Sequence, residues 1–416
     1  MKIFKTNLLR AAAAMLALLA FSASAENGTS SPYSRFGYGL LNDNATSAQS
    51  AMGGVGYAMN SGRQINVMNP ASYANCDSLT FLFDIGMDYT KLWSREGDAY
   101  GTSSSGGLQY ITMQVPITKF LGASLGLVPY SSVGYAFGGE IDNGSDSREG
   151  TGGLNQLYLG VAGKIFKGFS VGANFAYLWG DVTNSAYAYT NTGSTSLFQH
   201  IISVRDWHLD LGVQYTFEVS RLHEVSVGAK YSPGKSLHGT SYGIIYDVSQ
   251  DAVPDTTDRA GLNGNYSLPD SWGIGVSYRW NKRLLAEVDF TYENWKDAKF
   301  RSLDGWDRTQ FDNRWKIAMG AEYQPNPRGG YLSRITYRLG AYYNHDYVKV
   351  KGNTLGDYGV TCGFGFPVPG FKTVVNLGFD YRYRRANPNP LIKEQYFNIT
   401  LGVNFNELWF WRNKLR

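Results

Sequence analysis

The sequence predicts an all-β chain: a 14-stranded antiparallel transmembrane β-barrel whose lumen holds an N-terminal plug, or hatch. Three observations predict it. Period-two alternation recurs along the chain, as in Phe371–Arg384, where Val375, Leu377, Phe379, Tyr381 and Tyr383 share one face and Asn376, Gly378, Asp380 and Arg382 the other. The connections between such runs alternate between short and long. Finally, 30 Tyr, 22 Phe and 10 Trp stand beside 49 Gly, yet 17% of residues are charged and mean hydropathy is only −0.28. Aromatic girdles and apolar rows diluted by lumenal residues give outer-membrane barrels that composition. A large soluble sandwich would carry more charge on its outward faces.

The N-terminus sets the compartment. Lys2, Lys5 and Arg10 form a basic stretch, Ala11–Phe21 an apolar core, and Ala23-Ser24-Ala25 a small-x-small cleavage signal. Residues 1–25 therefore read as a secretory signal peptide. The apolar core is shorter than the about 20 residues a spanning helix needs. No Cys follows the cleavage site, which disfavours a lipoprotein anchor. The formal charge of +4 is too small and too dispersed to suggest a nucleic-acid partner, and none is expected.

The segment 26–78 lacks clean alternation. It holds Ser31-Pro32-Tyr33, Gly37-Tyr38-Gly39, Ala51-Met52-Gly53-Gly54-Val55-Gly56 and Met68-Asn69-Pro70-Ala71-Ser72. Small residues and single aromatics suit an irregular plug inside a lumen, where backbone groups still find partners. Its apolar content exceeds that of a disordered arm.

Alternating runs then follow at 79–90, 106–117, 121–137, 154–166, 168–179, 204–218, 222–232, 270–280, 284–295, 313–324, 333–345, 356–367, 371–384 and 394–406. An even count suits a bacterial single-chain barrel. Tight turns follow the even-numbered runs, near Lys119, Lys167, Ser220, Asn281, Pro327 and Pro369. Long connections follow the odd ones, at 91–105, 138–153, 180–203, 233–269, 296–312, 346–355 and 385–393. Short periplasmic turns and long outer loops give this parity. The barrel is thus expected over 79–406, with a short periplasmic tail at 407–416.

Charge assigns the faces, because a Lys or Arg facing lipid at mid-membrane costs about 2–4 kcal/mol. Ala286, Val288, Phe290 and Tyr292 form an uncharged row, with Glu287, Asp289 and Glu293 opposite. Likewise Trp207, Leu209, Leu211, Val213, Tyr215 and Phe217 face out, and His208, Asp210 and Gln214 face in. Cys362 falls on a lipid face and Cys76 before the first strand, so both are expected as free thiols.

Resemblance to a known family enters through the plug. Ala51-Met52-Gly53-Gly54-Val55-Gly56 followed by Asn69-Pro70-Ala71 resembles the hatch of the FadL/TodX family of outer-membrane transporters for long-chain fatty acids and other hydrophobic compounds. Leu268-Pro269-Asp270-Ser271-Trp272, Tyr278 and Tyr292-Glu293-Asn294-Trp295 look like that family's eighth and ninth strands, and Arg314-Trp315-Lys316-Ile317-Ala318-Met319-Gly320 like the strand after them. The Tyr-rich strands and the Trp409-Phe410-Trp411-Arg412 tail look like its Bacteroidetes branch.

The resemblance implies passive uptake of a fatty-acid-like small molecule by a monomer in the outer membrane, with lateral release into membrane lipid beside a kinked third strand. Releasing an acyl chain sideways avoids the about 0.8 kcal/mol per CH₂ that exposure to water costs. Val128-Pro129-Tyr130 and Gly134 supply such a defect, since proline cannot donate a ladder hydrogen bond and glycine marks bulges. Asn69, Pro70, Ala71, Pro129 and Gly134 are therefore the expected hatch and gate residues. Capture is expected at apolar clusters on the long connections, Phe198, Ile201 and Ile202 with Ile244 and Ile245; the same stretches also read as strand extensions packed on each other. Arg205, Lys230 and Arg279, assigned to the lumen by alternation, are the candidate partners of a carboxylate head. The alternative implied by the resemblance is a docking barrel for secreted proteins, like the shuttle of type IX secretion.

No catalytic residue, metal site or cofactor is expected. His208 and Asp210 make half a hydrolytic site, without a nucleophile in a recognisable motif. The glycines at 53–56 follow no strand and precede no Lys-Ser/Thr, so they are not a phosphate loop. No His/Cys cluster has metal-ligand spacing.

Overall fold

Each of the fourteen alternating runs becomes a wall strand in the computed structural model, which describes residues 28–191, 195–247, 255–302 and 309–408. The leader and most of the C-terminal tail lie outside the described residues. The strands are β1 (Thr80–Glu96), β2 (Ala99–Pro116), β3 (Leu121–Ile141), β4 (Gly144–Phe166), β5 (Phe169–Thr190), β6 (Thr195–Ser220) and β7 (His223–Ser232). They continue with β8 (Ser271–Trp280), β9 (Leu284–Glu293), β10 (Arg314–Tyr323), β11 (Thr336–Val350), β12 (Asn353–Pro367), β13 (Val374–Asn387) and β14 (Lys393–Leu408). Each pairs antiparallel with the next, and β1 closes on β14 from Thr80↔Leu408 to Arg95↔Lys393. Among the described residues no helix is long and apolar enough to cross a membrane; the strands cross it.

The faces follow the alternation. On β9, Val288 and Phe290 are 54% and 41% exposed, whereas Glu287 and Asp289 are buried at 2% and 3%. Such an inversion of ordinary burial is what lipid outside and polar groups inside demand. The lumen is ion-paired: Arg384 holds Asp357 at 2.6 Å, Arg338 holds Glu322 at 2.8 Å, and Lys230 holds Asp210 at 3.2 Å.

Most of the expected long connections are continued strand. β3 and β4 run on to a turn at Ile141/Gly144, and β5 extends to Thr190, with Tyr189 opposite Thr195 of β6. Beyond the bilayer the backbone still needs partners, and extending the ladder supplies them. The polar composition there hid the strands. Within 233–269, a hairpin of Gly239–Asp247 and Asp255–Gly261 pairs with the outer half of β6, where β7 has already ended.

Residues 29–75 pack inside the barrel against its inward side chains. Asp289 accepts the backbone N–H groups of Gly56 (2.7 Å) and Tyr57 (3.0 Å), Glu287 that of Ala58 (2.7 Å), and Thr361 that of Gly53 (2.8 Å). Arg279 donates to the carbonyl of Asn60. Irregular backbone in a membrane-spanning shell persists only with such partners. Close approach is built in as well: a Cβ on Gly340 of β11 would lie 2.2 Å from the Met52 carbonyl carbon. Both cysteines are free.

Replacing Asp289 by Ala orphans two buried N–H groups, each costing about 1–3 kcal/mol. The expected outcome is a plug cut by protease at concentrations that spare the native protein, with the barrel still heat-modifiable on gels.

Candidate functional site

The ladder between β2 and β3 is short. It runs only from Pro116↔Gly122 to Ile111↔Leu127. There, both strands bulge: β2 shifts register around Gln109, and β3 between Pro129 and Ser131. Bulges bend and twist their strands, and Pro129 lacks the N–H that the next rung requires. Beyond this level, Ala99–Leu108 of β2 pairs, among the described residues, with β1 alone. Gly153 of β4 has φ +139°, and a Cβ there would lie 2.4 Å from the Ser131 carbonyl, so glycine permits the wall to bend around the split.

The N-terminal strap of the plug covers the β3 edge of this split. Leu40 and Leu41 pair with Ser132 and Ser131. The Asn42 N–H donates to the Tyr130 carbonyl at 2.9 Å. Ser34 Oγ both accepts from the Gly134 N–H and donates to its carbonyl, each at 3.1 Å. Across the split, Ser30 Oγ reaches the Ser104 carbonyl at 3.3 Å.

A cavity of about 890 Å³ crosses the wall here. Lys316, Tyr342 and Arg382 line its lumenal end, Gly107, Pro129 and Ser132 its waist, and Asn155, Trp179 and Arg205 its outer mouth. The register places the mouth. Pro129, Asn155, Trp179 and Arg205 lie on one level across four strands. Outward residues just below are apolar (Leu157, Tyr177, Trp207) and those above are polar (Gly153, Asp181, Ser203). The opening therefore starts at the outer margin of the apolar band.

Above that level the lumen is capped. Tyr38 of the strap, Trp295, Phe311 and Tyr347 form one aromatic cluster, with Trp295–Tyr347 centroids 4.4 Å apart. Tyr347 Oη accepts the Tyr38 N–H at 3.0 Å and donates to the Gly39 carbonyl at 2.6 Å. The strap thus borders both cap and opening. It is pinned electrostatically by Asp43, which pairs with Arg314 (2.5 Å) and Lys316 (2.7 Å) of β10.

The residues singled out from the sequence fall in several places. Pro129 lines the opening and Gly134 bonds the strap beside it. Asn69, Pro70 and Ala71 sit elsewhere, against Gly172 and Gly212 in the periplasmic half, where Asn69 caps a 3-10 turn and donates to the Tyr57 carbonyl. Phe198 and Ile245 are direct register neighbours, 38% and 41% exposed, on the inner face of the extension above the cap. Phe137 joins that level through Arg148 and Ala186. Ile202 is fully buried in the core, and Ile201 and Ile244 project from the other face, so the five apolar residues do not form one groove.

Arg205 corrects its assignment: it shares the outward face of Trp207 and pairs with Asp181 at 3.3 Å outside the wall. The alternation that placed Trp207 outward required this. Lys230 is lumenal and bound to Asp210, and Arg279 anchors the plug. His208 lies 3.7 Å from Asp210, while Ser232 Oγ donates to that carboxylate rather than to the imidazole. Among the described residues no cluster could hold a metal ion.

Sequence reasoning missed Asp43 and Gln109. Asp43 carried a signal, as the sole acidic residue between Gly28 and Cys76. The bulges carried none beyond Pro129.

A BamG family model matches residues 8–416. No curated protein matches the sequence. Solved barrels of similar fold include a Pseudomonas aeruginosa FadL homologue (12% identity, 88% of this chain and 99% of that one, TM-score 0.62). The P. putida toluene transporter TodX follows at 15% identity, 88% and 98% coverage and TM-score 0.61. The Ralstonia pickettii toluene transporter TbuX gives 13%, 87% and 98%, and 0.58.

Two outcomes are expected. Asp43→Asn removes the ion pair to Lys316 and one of the two that hold Arg314, which keeps Glu293 at 2.7 Å, a loss of about 1–3 kcal/mol. Strap residues should then exchange amide hydrogen faster while the periplasmic half of the plug stays protected. Separately, burial pushes His200, on the extension beyond the membrane, down to about 4. A depressed histidine is neutral when folded, so stability is lost as pH falls from the unfolded value near 6.5 toward 4. Rate-corrected exchange of the β6 outer half should rise between pH 7 and 5, and His200→Gln should abolish that dependence.

Proposed function

We propose that this chain, which belongs to the BamG family, is an outer-membrane passive conduit for small hydrophobic molecules, releasing them sideways beside Pro129. The observation that carries the reading is the opening between β2 and β3, backed by a cavity that crosses the wall. Capture falls to the exposed inner-face level of Phe137, Phe198 and Ile245. Passage from there to the opening requires the strap to shift, because Tyr38 closes the cap and Leu40–Leu41 borders the exit. Differential ligand affinity for a shifted strap drives that step. Toluene transport by TodX and TbuX, barrels of the same fold, supports the ligand class. A fatty acid and lateral release are the finer form of the proposal.

A second reading is favoured by one observation. β3 to β6 span 21 to 26 residues, about twice the 9–11 a tilted strand needs. The resulting outer wall, with a closed cap beneath it, suits docking of a protein partner. Labelled toluene or fatty acid entering proteoliposomes supports the conduit; no entry, with a secreted or outer-membrane protein retained stoichiometrically, supports docking.

Pro129→Thr restores an N–H at the first missing rung. Uptake should slow severalfold with heat-modifiability unchanged; an unaltered rate removes Pro129 from the route.

A further inference from the structure

The cavity that crosses the wall is mixed: Leu40, Leu41, Leu108 and Pro129 give it an apolar side, and polar groups face them, so a bare hydrocarbon would leave part of the lining without partners. Thr90, Ser105, Gln109 and Asn398 line it with hydrogen-bond donors and acceptors. Its ions are largely spoken for: Asp43 is held by Arg314 and Lys316, and Arg205 by Asp181. What is left is Asp88 and Asp380 against Arg382, no cationic excess for a carboxylate or phosphate. A bare alkyl chain in this space would strip water from these groups without replacing its hydrogen bonds. Directly below the outer mouth, however, Leu127 and Leu157 are register neighbours facing lipid, with Leu159 and Phe175 one level further down.

We infer that the opening takes a single-chain amphiphile, its uncharged, hydroxyl-rich head in the passage and its alkyl tail on the apolar band below. The inference rests on the conduit reading and narrows its substrate class. A hydroxyl-rich head satisfies donors and acceptors alike without importing charge. The tail meanwhile never leaves an apolar environment. Placement at the outer margin of the apolar band matches the depth at which such a head already sits in a membrane.

Gly107 provides the test. It lies at the waist, faces the lumen opposite Asp88, and has no atom within 4 Å of a built Cβ. Gly107→Trp therefore fills the passage without a backbone clash. Gly261, equally open but on the outer hairpin, gives the control Gly261→Trp. The full-length protein in detergent-free phospholipid nanodiscs is titrated with labelled dodecyl glucoside, dodecanoate and dodecane, against empty discs. Expected is saturable glucoside binding about tenfold tighter than the other two, the size of roughly one net hydrogen bond. Gly107→Trp should remove that preference and Gly261→Trp retain it, both folded by heat-shifted gel mobility. Should Gly107→Trp not fold, Thr90→Phe fills the same space from β1.

Equal binding of the three probes, or glucoside binding indifferent to the filled passage, overturns the inference and leaves the conduit reading to its uptake test. Glucoside binding lost in Gly107→Trp while no probe crosses proteoliposomes sustains the site and overturns the conduit.

Discussion

A backbone amide inside a membrane has no water to fall back on, and every departure from the simple ladder must be paired by something else. That constraint explains the closure of β1 on β14. It also explains why the plug is sewn to the wall through N–H groups of Gly53, Gly56, Tyr57 and Ala58 rather than through apolar packing alone. Where β2 and β3 part, the same need is met by the strap: Ser34 and Asn42 bond Gly134 and Tyr130, in the place a neighbouring strand would occupy. Among the described residues, the opposite edge, on β2, receives little from the strap beyond Ser30.

This asymmetry gives the site its character. One lip of the opening is a covalently continuous wall strand and the other is lined by a segment of the plug. Movement of a few strap residues would widen the opening without breaking the barrel. Asp43 is the electrostatic latch on that segment and the Tyr38 cluster its apolar anchor. The two hold opposite ends of the same short stretch.

Much of the fold was legible because period-two alternation and turn parity are two independent readings of one wall. Glu287 and Asp289 opposite Val288 and Phe290 set the face, and the structure keeps it. What failed was length: Thr183–Tyr189 and Thr195–Ile201 lie beyond the apolar band and read as loop from sequence, yet they pair rung for rung. Pro129 was readable since proline acts through its own chemistry. Its partner bulge at Gln109 was not, because a bulge on β2 depends on what β1 and β3 do. Arg205 was misplaced by neglect of its own alternation with Trp207. Trp295, found in sequence as a family-like motif, proves to be the centre of the cap.

The most direct measurement is residue-resolved hydrogen exchange of Ala99–Leu108 in nanodiscs. An open edge leaves every second amide of this stretch, those pointing away from β1, exchanging fast, while their alternate neighbours and the amides of β4 remain protected. Alternating protection is the result expected. Uniform protection along β2 would mean that the wall is continuous there, and both the lateral opening and the passage behind it would be contradicted.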